Sequence, residues 1–192
     1  MGKQGAAAHD IALVFRQYLK YANYVTSDIS YKSAASKLDP IEFSADDVMD
    51  FAKAVNGNFS ESANYWTRGI FISAAINKVI KKDETVTLEL SGAEVVDCIG
   101  YGLGRGTIKV VGDVGDYVGE YMSGGEIAVM GNAGNYVGYA MSGGKISVAG
   151  NAAEHVGTYM SGGAIHIGGS LASIASSCKG MVYGKSSSSK SI

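Results

Sequence analysis

Glycine-rich segments are the first residues of this sequence that could do chemistry, since such loops can bind phosphates through backbone N–H groups. Four glycines alternate with other residues over 100–106, as in a dinucleotide-binding loop. That site also needs a following helix, whereas Ile108 begins a strand-like pattern. The segment Gly138–Lys145 resembles a P-loop, but Ile146 stands where Ser or Thr would bind magnesium. We therefore predict that both segments are structural turns.

Cysteine and histidine are the next candidates, as nucleophiles or metal ligands. The two cysteines, Cys98 and Cys178, form neither a C-x-x-C motif nor a zinc spacing, and His9, His155 and His166 are far apart. We expect no metal site, a packed thiol at Cys98, and surface positions for His155 and His166. No G-x-S-x-G segment is present, which argues against a serine esterase. No catalytic residue is therefore predicted.

Tyrosines recur at related positions and are the remaining candidates. Tyr117 and Tyr136 share one column of a repeat, and Tyr121 and Tyr159 share another that Ala140 interrupts. Two interpretations stay open. The rings can be partly buried at corners of the fold, or they can form a flat aromatic surface for a protein partner, because tyrosine is enriched at interfaces. These four tyrosines are the predicted partner surface.

A 19-residue repeat must position these side chains. Several columns keep register over four copies, which indicates a solenoid: Gly100, Gly119, Gly138 and Gly157; Gly106, Gly125, Gly144 and Gly163; Ile108, Ile127, Ile146 and Ile165. Each unit has two short apolar pieces, Ile-x-Val and Tyr-Val, which we expect to pair with the copies above and below. The column Leu103, Met122, Met141 and Met160 is predicted to lie inside, with glycines at the corners.

Polar columns complete the unit. We expect residues such as Asp113 and Asn132, just after a corner glycine, to tolerate left-handed backbone and to bond nearby main chain. The column containing Glu126 and Lys145 varies in charge, which is typical of an outward position.

Helical periodicity precedes the repeat. Apolar residues between Ile11 and Ala22 lie on one helix face, Ser44 is a predicted N-cap, and a further helix is expected from Ser60 to about Lys81, with a break at Gly69. The predicted organisation is a helical region over 1–84, a β-helix over 85–184 and a disordered Ser-rich tail over 185–192. The fold class is α+β, with N-terminal helices capping one end of a single-stranded, right-handed parallel β-helix. The strand-like segment 180–184 and residues 171–175 are expected to cap the other end.

Composition excludes several functional classes. The chain has 192 residues, 46% of them hydrophobic, and a formal net charge of −2 with mixed signs. No basic block predicts nucleic-acid binding, and no apolar run approaches the length of a membrane helix. No signal peptide is recognisable, so we expect a cytoplasmic protein.

Two segments of the repeat resemble a known family. Residues 117–127, Tyr-Val-Gly-Glu-Tyr-Met-Ser-Gly-Gly-Glu-Ile, and residues 131–138, Gly-Asn-Ala-Gly-Asn-Tyr-Val-Gly, are similar to the GXGXG domain. That domain forms the C-terminal β-helix of the glutamate synthase large subunit, and it makes up one entire subunit of tungsten- or molybdenum-dependent formylmethanofuran dehydrogenase. The resemblance extends over roughly residues 72–170.

The resemblance implies a structural and assembly role beside domains that carry flavin, iron–sulfur or molybdenum/tungsten chemistry. It implies no catalytic or cofactor-binding residue in the β-helix itself. The leading hypothesis is therefore a non-catalytic subunit that docks on redox-enzyme partners. Two alternatives stay open: a self-assembling homo-oligomeric scaffold, and a stand-alone hydrolase.

Overall fold

The computed structural model describes residues 3–22, 27–58, 65–90 and 95–186. Within these ranges, helices precede strands along the chain: α1 Lys3–Ala22, α2 Ser27–Leu38, α3 Ala45–Asn58, α4 Tyr65–Val79, β1 Thr85–Glu89, β2 Thr107–Val111, β3 Glu126–Val129, β4 Lys145–Val148, β5 Ala164–Leu171 and β6 Met181–Ser186. The strands form one sheet in the order β1 to β6, with every neighbouring pair parallel. The predicted helix-capped parallel β-helix is confirmed.

The repeat sets the register of the coils. Ile108, Ile127, Ile146 and Ile165 pair in that order on successive strands. All four isoleucines are fully buried, and so is the interior column of Leu103, Met122, Met141 and Met160. Like side chains therefore stack on like side chains through the centre of the coil, as predicted.

The helices pack around an aromatic core. Phe15 of α1 contacts Phe51 of α3 and Phe71 of α4, with ring centroids 5.3 and 4.9 Å apart. The predicted cap of α3 is confirmed: Ser44 N and Oγ donate to the Asp47 carboxylate at 2.8 and 2.6 Å, and Asp47 N donates back to Ser44 Oγ at 3.3 Å. This reciprocal bonding satisfies N–H groups that a helix start leaves without partners.

Helix α4 joins the cap to the first coil, and here one expectation was wrong. The helix has no break at Gly69, and a Cβ at this position would lie 1.6 Å from the Asp97 carbonyl oxygen. Glycine is required because the helix touches the coil backbone there. One turn later, Ser73 Oγ donates to the Cys98 carbonyl at 3.0 Å and accepts from Gly100 N at 2.9 Å.

The Tyr-Val pieces are not strands. Tyr117 and Tyr136 have positive φ values of 61° and 59°, and the coils connect here through single bonds such as Tyr117 N to Asn135 O at 2.9 Å. The Asp/Asn column is also not left-handed, contrary to expectation. The expected bonds to main chain are present, and they join neighbouring coils, as when Asp113 Oδ1 accepts from Asn132 N at 2.7 Å.

The far end continues the sheet. The strand-like segment after Gly180 is β6, which pairs with β5 and includes Lys185 and Ser186 of the expected tail. The expected start of a helix at Ser60 and the remainder of the tail, 187–192, lie outside the described residues. None of the helices in the ranges above is both long and apolar enough to cross a membrane.

Candidate functional site

Five tyrosines from successive coils share one surface, which we call the tyrosine face: Tyr117, Tyr121, Tyr136, Tyr139 and Tyr159. The rings of Tyr117 and Tyr136 stack 4.8 Å apart at an angle of 8°. Tyr139 lies between the two predicted columns, with its ring edge-on to Tyr121 at 6.1 Å and to Tyr159 at 5.5 Å. The structure thus brings all four predicted tyrosines together through a fifth.

The rings differ in exposure, since Tyr121 and Tyr159 are exposed and Tyr117, Tyr136 and Tyr139 are half-buried, but most of them share one backbone conformation. All the tyrosines of the face except Tyr139 have positive φ, as does His155, which stacks on Tyr136 at 5.0 Å. Left-handed backbone is unfavourable for a bulky residue and persists only where the surrounding structure imposes it. Here the inter-coil hydrogen bonds impose it, so the face is held by the coil itself.

An open pocket lies at the helical end of the tyrosine face. Its volume is about 590 Å³, and it is lined by Trp66, Asp97, Asp116, Tyr117, Glu120, Tyr121 and Tyr139. Helix α4 supplies the tryptophan, and the first coils supply the carboxylates and tyrosines. We call this cavity the acidic pocket.

The aspartates of the acidic pocket have a fixed orientation. Asp97 Oδ1 accepts from Asp116 N at 2.9 Å, and Asp116 Oδ1 accepts from Asn135 N at 2.7 Å and from its side-chain amide at 3.2 Å. Each aspartate therefore bonds the next coil with one oxygen. Across the described residues, neither aspartate forms an ion pair.

Titratable groups around the pocket have pKa values shifted towards their protonated forms. Burial raises the pKa of Asp97; the hydrogen bond from Asp116 N opposes this shift and the Asp116 charge adds to it. Burial also raises the pKa values of Tyr117 and Tyr139, with further contributions from neighbouring tyrosines and from Glu120. Burial is thus the main cause of these shifts, and the neighbouring carboxylates Asp116 and Glu120 add to them in the same direction.

Cys98 lies behind the pocket and is fully buried. Burial and then the Glu120 charge raise the pKa of its thiol, and Sγ lies 3.7 Å from Glu120 Oε2. A thiol held in its neutral form is a poor nucleophile. The prediction of a packed thiol is confirmed.

The glycine segments are turns, as predicted. Gly100 N donates to Ser73 Oγ and Gly102 N donates to Glu120 O, at 2.9 and 2.8 Å, so these amides already have partners. Lys145 points outwards and pairs with Glu126 at 2.9 Å. His155 and His166 are exposed, also as predicted. In the described part of the chain, no three His, Cys, Asp or Glu side chains are placed to hold a metal ion.

Five residues of the acidic pocket were not among the site residues predicted from the sequence: Trp66, Asp97, Asp116, Glu120 and Tyr139. Tyr139 shares a column of the repeat with Tyr101 and Glu120. Because this column mixes aromatic and charged residues, it does not stand out as an aromatic column. Asp97 precedes the first full copy, although its alignment with Asp116 and Asn135 was a usable signal. No periodicity indicates Trp66, because the docking of α4 on the coil places it.

No protein-family model matches the chain, and no curated protein sequence is significantly similar to it.

Proposed function

We propose that this chain is a non-catalytic assembly module that docks on another protein subunit through its tyrosine face. The observation that carries the proposal is the exposure of Tyr121 and Tyr159, at 48% and 63%, on a surface that the coil fixes. Exposed aromatic rings held in place lose little conformational entropy on binding, and tyrosine is enriched where interfaces contribute most affinity.

The proposed partner is a redox enzyme that carries flavin, iron–sulfur or molybdenum/tungsten chemistry. Support comes from the resemblance of segments 117–127 and 131–138 to the GXGXG domain. On this proposal the cofactors belong to the partner, and the β-helix holds the assembly together. The buried, neutral thiol of Cys98 agrees with a module that does no covalent chemistry of its own.

Affinity purification of the tagged chain from its source cell tests this function. The double variant Tyr121→Ser/Tyr159→Ser removes the two most exposed rings of the face. Met130→Ser is the matched control, because Met130 is 49% exposed and lies after β3, outside the face. We expect the wild type and the control to retain a flavin, iron–sulfur or molybdenum/tungsten protein in fixed ratio, and the double variant to lose it.

Two results would overturn the proposal. One is recovery of no such redox protein with the wild-type chain. The other is equal recovery with the double variant, which would place the contact elsewhere. Light scattering on the purified chain is a useful companion measurement, because a stable homo-oligomer disrupted by the same double variant would assign the tyrosine face to self-assembly instead.

A further inference from the structure

The acidic pocket has features that docking through the tyrosine face does not need. It is an open pocket with one wall from helix α4, and carboxylates lie among its aromatic rings. We propose that the acidic pocket binds a small organic ammonium compound. This proposal does not rest on the proposed function, because it concerns the isolated chain.

The aromatic walls give the first argument. Trp66, Tyr117, Tyr121 and Tyr139 all line the cavity, and Tyr139 meets Tyr117 and Tyr121 edge-on at 5.7 and 6.1 Å. Edge-on rings form walls at an angle to one another, so that a ligand can contact more than one of them. The faces of tryptophan and tyrosine attract cations, and ammonium groups are the ligands that such aromatic cages recognise.

Charge gives the second argument. Asp97 and Asp116 each use Oδ1 for a bond between coils, and Oδ2 of each has no hydrogen bond within the described ranges. No lysine or arginine is among the described residues that line the cavity. Carboxylates that line a cavity make its potential negative, and a negative potential favours a cation. Burial is the main cause of the raised pKa values of Asp97, Tyr117 and Tyr139, and the charge of a neighbouring carboxylate contributes to each of them.

Size indicates which kind of cation. A volume of about 590 Å³ is within the usual range of small-molecule sites and far exceeds one lysine side chain. Inorganic cations prefer several oxygen ligands that converge on one point, and the described carboxylates do not form such a group. Aromatic walls with dispersed carboxylates suit an alkylated amine or a polyamine better.

Titration of the full chain tests the proposal, and Trp66 is the reporter because it is the only tryptophan. The probes are choline, spermidine and arginine, added at constant ionic strength while tryptophan fluorescence is recorded. The matched neutral probe is 3,3-dimethyl-1-butanol, which has the shape of choline without its charge. We expect a saturable change with at least one cationic probe and none with the neutral probe.

Variants then locate the site. Asp97→Asn and Asp116→Asn should each weaken binding about tenfold, the effect expected when a charged partner is lost. Asp113→Asn is the matched control, because Asp113 makes the same bond to the next coil but lies outside the pocket. Tyr121→Leu tests the aromatic wall without changing a carboxylate, and it keeps the proposal testable if an aspartate variant fails to fold.

Several results would overturn this inference: no saturable signal with any cationic probe, an equal signal with the neutral probe, or the same loss of binding in Asp113→Asn as in Asp97→Asn. Saturation by magnesium or calcium chloride at similar concentrations would also overturn it, in favour of a metal site. Each result is independent of whether a redox partner is recovered with the chain.

Discussion

At the scale of single residues, Asp97 has two roles that oppose each other. Its carboxylate holds the second coil through Asp116 N at 2.9 Å, and it is half-buried beside the Asp116 charge. Burial without a counter-ion raises its pKa in the folded chain above the ordinary value of an aspartate. The native state therefore binds a proton more tightly than the unfolded state does, and this carboxyl group makes stability fall as pH rises through the interval between the two pKa values.

Asp97→Asn should remove that loss of stability while keeping the hydrogen bond, since an amide oxygen can also accept from Asp116 N. We expect the variant to match or exceed the wild type in free energy of unfolding at pH 7, with the difference disappearing near pH 3. Urea titrations at both pH values measure this. Asp113→Asn removes the same charge from an exposed position and serves as the control. If Asp97→Asn is instead less stable than the wild type, and by more at pH 7 than at pH 3, then other interactions stabilise the Asp97 charge in the folded chain.

A second residue-scale prediction concerns the contact between α4 and the first coil. Gly69→Ala would place a methyl group 1.6 Å from the Asp97 carbonyl, so the helix must move, and we expect a loss of about 2–3 kcal/mol. Without this contact, alanine would stabilise a helix by up to about 1 kcal/mol. Thermal or urea unfolding measures whether Gly69→Ala is less stable or more stable than the wild type. Gly104→Ala, whose Cβ would have its nearest neighbour at 3.6 Å, should change stability by less than about 0.5 kcal/mol.

At the scale of elements, the turns between strands use left-handed backbone at residues other than glycine. Ala140 has a φ of 51° and occupies the same column as Tyr121 and Tyr159. The left-handed backbone is unfavourable for alanine as it is for tyrosine, but alanine makes none of the aromatic contacts that the two tyrosines make. This difference separates the effect of backbone strain from the effect of the ring.

Ala140→Gly should therefore stabilise the chain by about 0.5–1 kcal/mol. The matched control is Ala128→Gly in the middle of β3, where the backbone is extended and glycine should cost about 0.5–1 kcal/mol. The urea midpoints of the two variants should move in opposite directions. If both midpoints fall to lower urea concentrations, the left-handed backbone at Ala140 does not reduce the stability of the chain.

The position of a residue could be predicted from the sequence where the repeat itself specifies its contacts, and could not where the packing of different elements specifies them. The isoleucine and methionine columns were predictable because each residue meets its own copy one coil away. The left-handed tyrosines were not, because tyrosine has no intrinsic preference for that backbone and only the inter-coil bonds impose it. Trp66 reaches the acidic pocket through the packing of a helix on a coil, which leaves no periodic mark in the sequence.

At the scale of the whole molecule, the helical cap and the β-helix share one hydrophobic core. The buried cluster runs without interruption from Phe15 in α1 through Phe71 in α4 to Ile108 and Ile165 in the coils. Met49 of α3 packs at the edge of the same cluster and lies 3.4 Å from Thr87 N of β1. The cap thus covers the sheet edge at the first strand, which would otherwise be open to another chain.

A shared core should make unfolding a single cooperative event. We expect helical circular dichroism and tyrosine fluorescence to lose their native values at the same urea concentration. Phe15→Ala in the cap and Ile146→Ala in the coil should each cost about 3 kcal/mol and shift both signals together. A helical signal that disappears first in Phe15→Ala, with the tyrosine signal unchanged, would show that the cap and the coil unfold separately.

Because the register of the coils is constant, every coil adds the same length to the molecule. Each coil advances by the separation of parallel strands, about 4.8 Å, so a duplicated 19-residue unit would move β6 away from the helices by that distance. The acidic pocket would stay unchanged, because it is built from α4 and the first coils. The tyrosine face would lengthen by the height of one coil. The distance between what the pocket binds and what the far end of the face contacts is therefore set by the number of coils.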